Sequence, residues 1–136
     1  MDREYSRIMV PVDGSQESIN AFKKAVQIAK RNQAELRLVT IVDTTSDAGE
    51  AEIIEREKDG LFTALEKHAE REQLTIKKDV KFGNAKKLIA EELVKDWQID
   101  LIIMGATGKG RIAKLFVGTV TSYVVRHARC DVLIAR

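Results

Sequence analysis

Five short apolar runs separated by four stretches of helical periodicity constrain this chain more than any other feature. The first run, residues 7–12, closes on the turn Asp13-Gly14-Ser15. Further runs over 36–42, 100–104 and 131–135 are apolar almost throughout, as expected of strands covered on both faces. The run over 74–82 differs, because Ile76, Val80 and Phe82 are interleaved with Lys77, Lys78 and Lys81. That much charge predicts a strand at a sheet edge. Between the runs, Phe22, Val26 and Ala29 recur at helical spacing beyond Ile19, with Ser15 or Ser18 able to cap that helix. A long charged helix is expected over 47–73, with Gly60 as a potential bend. Another runs from an Asn84 cap to about Trp97, and a last one spans 120–127 and ends near Arg129.

Five strands alternating with helices predict a parallel sheet, because parallel neighbours need long, right-handed crossovers. The expected architecture is a single-domain, Rossmann-like α/β fold over 1–136: an open five-stranded sheet of order 3-2-1-4-5 with helices on both faces. Such a sheet holds ligands outside the carboxyl ends of its strands, where the strand order reverses. The turn at Asp13 and the glycine-rich stretch after Met104 both fall at those ends.

Composition narrows the function classes. With 136 residues, 44% hydrophobic and 32% charged, the chain suits one soluble globular domain. A net charge of +2 is too mild to argue for nucleic acid or an anionic membrane as partner. No apolar run reaches the roughly 20 residues of a bilayer span, and the polar start is not expected to be a signal peptide. Cys130 is the only cysteine, so no internal disulfide exists and a cytoplasmic setting is expected. The two histidines read as surface residues, His127 favoured by a helix C-terminus. No Cys/His set has metal-ligand spacing.

The most specific motif is Gly105-x2-Gly108-x9-Gly118-Thr119, entered from a buried strand and leading into a helix. Glycines admit a ligand close to the backbone, and a helix N-terminus offers unpaired N–H groups to an anion. Thr119, Thr121 and Ser122 add hydroxyls in the first turn. The pattern predicts a nucleotide phosphate site. It is not a P-loop, since Arg111-Ile112 follow Gly110 where lysine and a hydroxyl are required. It is not the dinucleotide fingerprint either, because Asp131 falls at the start of its strand and no further βα units follow.

The glycine spacing, the opening Ile8-Met9-Val10-Pro11-Val12-Asp13-Gly14-Ser15 and the ending from Gly118 to Ile134 resemble the universal stress protein family, and specifically its ATP-binding branch. Thr119 stands where serine is more usual. The resemblance implies that Pro11, Val12 and Asp13 lie at the adenosine end and that Ile41 presents backbone groups to adenine. It places Met104 and Gly105 near the ribose and Gly108 near the phosphates. Gly118, Thr119 and Val120 would hold phosphate oxygens. It implies ATP, or AMP or ADP, as ligand, with Mg²⁺ carried by the nucleotide, and a homodimer formed through Val132–Ile134. The expected role is a nucleotide-gated switch or scaffold acting on a downstream protein partner, with at most slow hydrolysis. A small ATPase or phosphotransferase, or a nucleotide-independent interaction module, remain alternatives.

Overall fold

Strand polarity, helix capping and side-chain parity together place the crevice. The computed structural model describes residues 4–42, 48–106 and 119–136. It contains β1 (Arg7–Pro11), α1 (Gln16–Asn32), β2 (Glu35–Val42), α2 (Ala48–Arg71) and β3 (Ile76–Phe82). A third helical stretch follows as α3 (Ala85–Lys87), a π-helical turn (Leu88–Glu92) and α4 (Leu93–Asp96). β4 (Leu101–Gly105), α5 (Thr119–His127) and β5 (Asp131–Ala135) complete the chain. All pairings are parallel and the order is β3-β2-β1-β4-β5, as the alternation of runs predicts.

Parity sorts the core into two layers. Ile8, Val10 and Val12 with Leu36, Leu38, Leu101 and Ile103 face α1 and α2, meeting Phe22, Val26, Phe62 and Leu65. Met9, Val39, Ile102 and Met104 face the other way, onto Ile89, Leu93 and Val94 and onto Val124 of α5. Every residue of β4 is buried, which is why its sequence is an unbroken apolar run. Helix α2 runs through Gly60 without interruption. His68, expected at the surface, sits half-buried with its ring edge-on to Phe22 at 5.7 Å.

Polar side chains tie the amino ends of the strands. The Asp100 carboxylate accepts the Ser6 and Arg7 N–H groups at 2.8 and 3.0 Å, and Asn32 Oδ1 accepts those of Glu4 and Tyr5. The Tyr5 hydroxyl donates to Asp131 Oδ2 at 2.8 Å. That bond, then burial and the charge of Asp131, push the Tyr5 phenol up to about 12. Burial, ahead of the Asp131 charge, pushes the half-buried Cys130 thiol up to about 11. Among the described residues, no helix is long and apolar enough to cross a membrane.

Three helices, α1, α2 and α4, stop in a common way. Gln33, Gln73 and Gln98 adopt positive φ of 54°, 61° and 53°. After each, the next N–H reaches back five residues: Ala34 to the Ala29 carbonyl, Leu74 to Ala69 and Ile99 to Val94, at 2.9–3.0 Å. Each glutamine N–H also bonds the carbonyl three residues before it. This is the Schellman arrangement, with an apolar residue after the left-handed position, except that glutamine stands where glycine is usual. Left-handed backbone costs an L-residue roughly 1–2 kcal/mol, partly offset for glycine by its greater unfolded freedom. Gln73→Gly is therefore expected to stabilise by about 0.5–1 kcal/mol in urea unfolding; a loss of stability would contradict the cap.

The Tyr5 bond has a definite pH signature. A phenol whose folded pKa lies above its ordinary value of 10 contributes stability below pH 10 and loses it as pH rises through about 12. Tyr5→Phe should flatten that alkaline slope in pH-dependent melts. An unchanged slope would show the bond to be inconsequential.

Candidate functional site

At the carboxyl end of β1 the chain leaves the sheet through a tightly bonded turn. The Val12 N–H donates to the Val39 carbonyl at 2.8 Å, and the buried Thr40 hydroxyl donates to the Val12 carbonyl at 2.8 Å. Gly14, at φ +87°, reverses the chain without a Cβ penalty. Asp13 Oδ1 accepts the Ser15 N–H at 2.9 Å, while the Asp13 N–H donates to Ser18 Oγ at 3.3 Å. Ser15 is the N-cap of α1, its hydroxyl accepting the Ser18 N–H at 3.1 Å. Asp13 therefore has a structural task in shaping the turn, whatever else it contacts. Ser18, buried and bonded to the Ser15 carbonyl at 2.9 Å, belongs to the same network rather than acting as the cap.

The carboxyl end of β4 is built around Gly105. A Cβ placed there would lie 2.8 Å from Glu17 Cβ and 3.0 Å from the Glu17 carbonyl carbon and oxygen. The first turn of α1 thus presses directly on the β4 backbone, which only glycine permits. From the opposite layer, the buried Thr121 hydroxyl donates to the Gly105 carbonyl at 3.0 Å. Thr121 is thereby removed from the hydroxyls expected to meet a phosphate; it docks the first turn of α5 against β4. Two helix N-termini, those of α1 and α5, converge on one glycine at the point where the strand order reverses.

The remaining candidates distribute as follows. Ile41 and Val120 pack, partly buried, against the cluster that contains the buried Met104. Pro11 is half-exposed at the end of β1, and Val12 is buried in the opposite layer. Thr119 is exposed and opens α5. Gly108 and Gly118, with the cationic segment of Lys109, Arg111 and Lys114, lie outside the described residues. Thus Ile41, Met104 and Val120 share one layer at the carboxyl ends of β2 and β4, with Gly105 beside them. The sequence reading missed Thr40 and the packing of Glu17 on Gly105, and it took Ser18 only as a candidate cap. Thr40 carried a signal, as one of two polar residues, with Arg37, inside its apolar run. A groove of about 540 Å³ lined by Glu91, Glu92, Val94, Lys95 and Arg129 lies beside α4 and the turn before β5, away from these residues.

Gly105→Ala should destabilise by about 1–3 kcal/mol, because an overpacked methyl must displace the α1 backbone. Thr121→Val should cost a similar amount, roughly 1–3 kcal/mol, by leaving a buried carbonyl unpaired. Urea unfolding checks both, and neutral substitutions would mean that the junction is looser than its distances indicate.

Comparison with known proteins agrees with this architecture. The profile of the Universal stress protein family matches residues 4–136. A putative universal stress protein from Staphylococcus epidermidis is 37% identical, over 97% of this chain and 84% of its own. Among solved structures, the universal stress protein UspA from Lactobacillus plantarum superposes with a TM-score of 0.76 at 33% identity, covering both chains completely. A universal stress protein solved in complex with cAMP gives a TM-score of 0.71 at 28% identity, over 97% of each chain. Glycine spacing, sheet order and profile thus converge, and the chain belongs to the universal stress protein family.

Proposed function

We propose that this protein is an ATP-binding regulatory protein in which nucleotide occupancy acts as a switch or scaffold signal. The observation that carries the reading is the docking of the α5 N-terminus on Gly105 at the reversal of strand order. There, helix N–H groups and a glycine-rich sequence meet at the carboxyl end of a buried strand. The complex of a 28%-identical relative with cAMP supports an adenine nucleotide as the ligand class. On this reading, Ile41 and Met104 flank the base and ribose together with Pro11, Val12, Asp13 and Gly105. Gly108, Gly118, Thr119 and Val120 receive the phosphates. The apolar surface of Ile41 and Met104 fits the adenosine, and the Val120 N–H and the Thr119 hydroxyl fit phosphate oxygens. Mg²⁺ arrives with the triphosphate, neutralising its charge.

Phosphoryl transfer needs a positioned nucleophile and a charge clamp in addition to a metal. The candidate set offers Asp13 alone as a carboxylate, already accepting the Ser15 N–H. Hydrolysis is accordingly expected to be slow, and binding rather than turnover is the functional event. The outer strand β5, with Val132, Leu133 and Ile134 half-buried, is the surface through which two copies pair in this proposal.

Titration with ATP, AMP, cAMP and GTP under a thermal ramp tests the ligand. At a hundredfold excess over Kd, bound nucleotide stabilises by about 2.7 kcal/mol. Adenine nucleotides should raise Tm, and Gly118→Val should abolish the rise by placing a branched side chain at the phosphate position. No shift with any adenine nucleotide at millimolar concentration rejects the proposal. Rapid turnover lost in Asp13→Ala would instead identify an ATPase. Native mass spectrometry of the same sample reads subunit number, expected to be two.

A further inference from the structure

β3 forms one outer edge of the sheet, and its seven residues pair with β2 in continuous register from Ile76 to Phe82. Among the described residues no element pairs with its other side, and the strand has no bulge or proline. Long unpaired edges of this kind invite pairing with another chain. Here the side chains determine which chain. Lys77, Asp79 and Lys81 lie on the layer of Arg37, whose guanidinium stacks 3.9 Å from the Trp97 ring centroid and bonds Asp79 at 3.1 Å. Ile76, Lys78, Val80 and Phe82 lie on the other layer, where Ile76 and Val80 pack on the core, Lys78 pairs with Glu66 at 2.6 Å and Phe82 is 42% exposed.

Pairing with a second copy in full overlap is disfavoured by this arrangement. Antiparallel self-pairing centred on the strand sets Lys77 against Lys81 and Asp79 against Asp79, and like charges directly opposite destabilise a ladder. An extended segment alternating acidic and apolar residues meets the opposite situation. Its carboxylates would face Lys77 and Lys81, with Asp79 between them neutralised by Arg37 at 3.1 Å, and its apolar residues would continue the surface of Val80 and Phe82. The ion pair that Lys77 now makes with Glu35 is exposed, at 3.2 Å, and such pairs hold a lysine weakly.

We propose that the β3 edge is a docking site for an extended, alternately acidic and apolar segment of a partner protein, added to the sheet as a sixth strand. Backbone hydrogen bonds supply the pairing and the lysines supply the choice of partner. This surface is independent of the nucleotide reading.

The test uses the full chain and a fluorescent nine-residue peptide alternating glutamate and valine. Polarisation should show saturable binding, and NMR should place the perturbed amides at residues 76–82. The variant Lys77→Glu/Lys81→Glu, checked by its melt to remain folded, should weaken binding about tenfold or more. A peptide alternating lysine and valine should not bind. The glutamate peptide N-methylated at alternate residues, in either register, should also fail, since one edge of its backbone is then blocked. No binding at millimolar peptide, or equal binding of the N-methylated peptides, would overturn the proposal; the latter would reveal plain charge attraction without strand addition.

Discussion

The contact of α1 and α5 with the Gly105 backbone is the constraint on which the candidate site depends. Helices from opposite layers approach the same residue, one by packing on its Cα and the other by bonding its carbonyl. In an open parallel sheet a crevice exists only where successive crossovers lie on opposite faces. α1 covers one face and α5 the other, so the crevice opens at β1 and β4 and both helix N-termini point towards it. A side chain at Gly105 would move α1 outward and loosen the wall of the crevice. The first glycine of the motif thus has a packing reason that precedes any ligand, and the later glycines carry the nucleotide reading.

The two ends of the sheet are built differently. At the amino end, carboxylate and amide side chains occupy the backbone donors: Asp100 takes two N–H groups, Asn32 two more, and Tyr5 closes onto Asp131. At the carboxyl end, among the described residues, serines and Asp13 bond within the turn after β1, while main-chain groups and threonine hydroxyls join the elements, Val12 to Val39, Thr40 to Val12 and Thr121 to Gly105. Carboxylate and amide side chains thus bind the amino ends of the strands, whereas hydroxyls and main-chain groups join the carboxyl ends. This division agrees with the general preference of doubly wound sheets to bind at strand carboxyl ends.

Much of this was legible from residue pattern because strands buried on both faces leave no ambiguity. The runs over 36–42 and 131–135 and the caps at Ser15 and Asn84 correspond to the structure within a residue. Three features were hidden for identifiable reasons. The π-helical turn at Leu88–Glu92 leaves the apolar positions Ile89, Ala90, Leu93 and Val94 spaced as an ordinary helix would space them. The helix stops use glutamine in the left-handed region, so the usual glycine signal is missing and only the following apolar residue marks them. Finally, Thr121 reads as a free hydroxyl in sequence, and only the approach of α5 to β4 shows its bond to Gly105.

The two sheet edges also pose one problem and meet it in opposite ways. An outer strand must avoid unwanted pairing while remaining soluble. β5 is apolar and half-buried, so a partner strand is a natural means of covering it. β3 is charged, with lysines on both of its faces, and its charge pattern opposes a second copy of itself in full overlap. If both edges were apolar, copies could add end to end without limit, as open heterologous assemblies do. On the pairing proposed for β5, a charged β3 edge would limit growth beyond a pair and favour a chain of different composition.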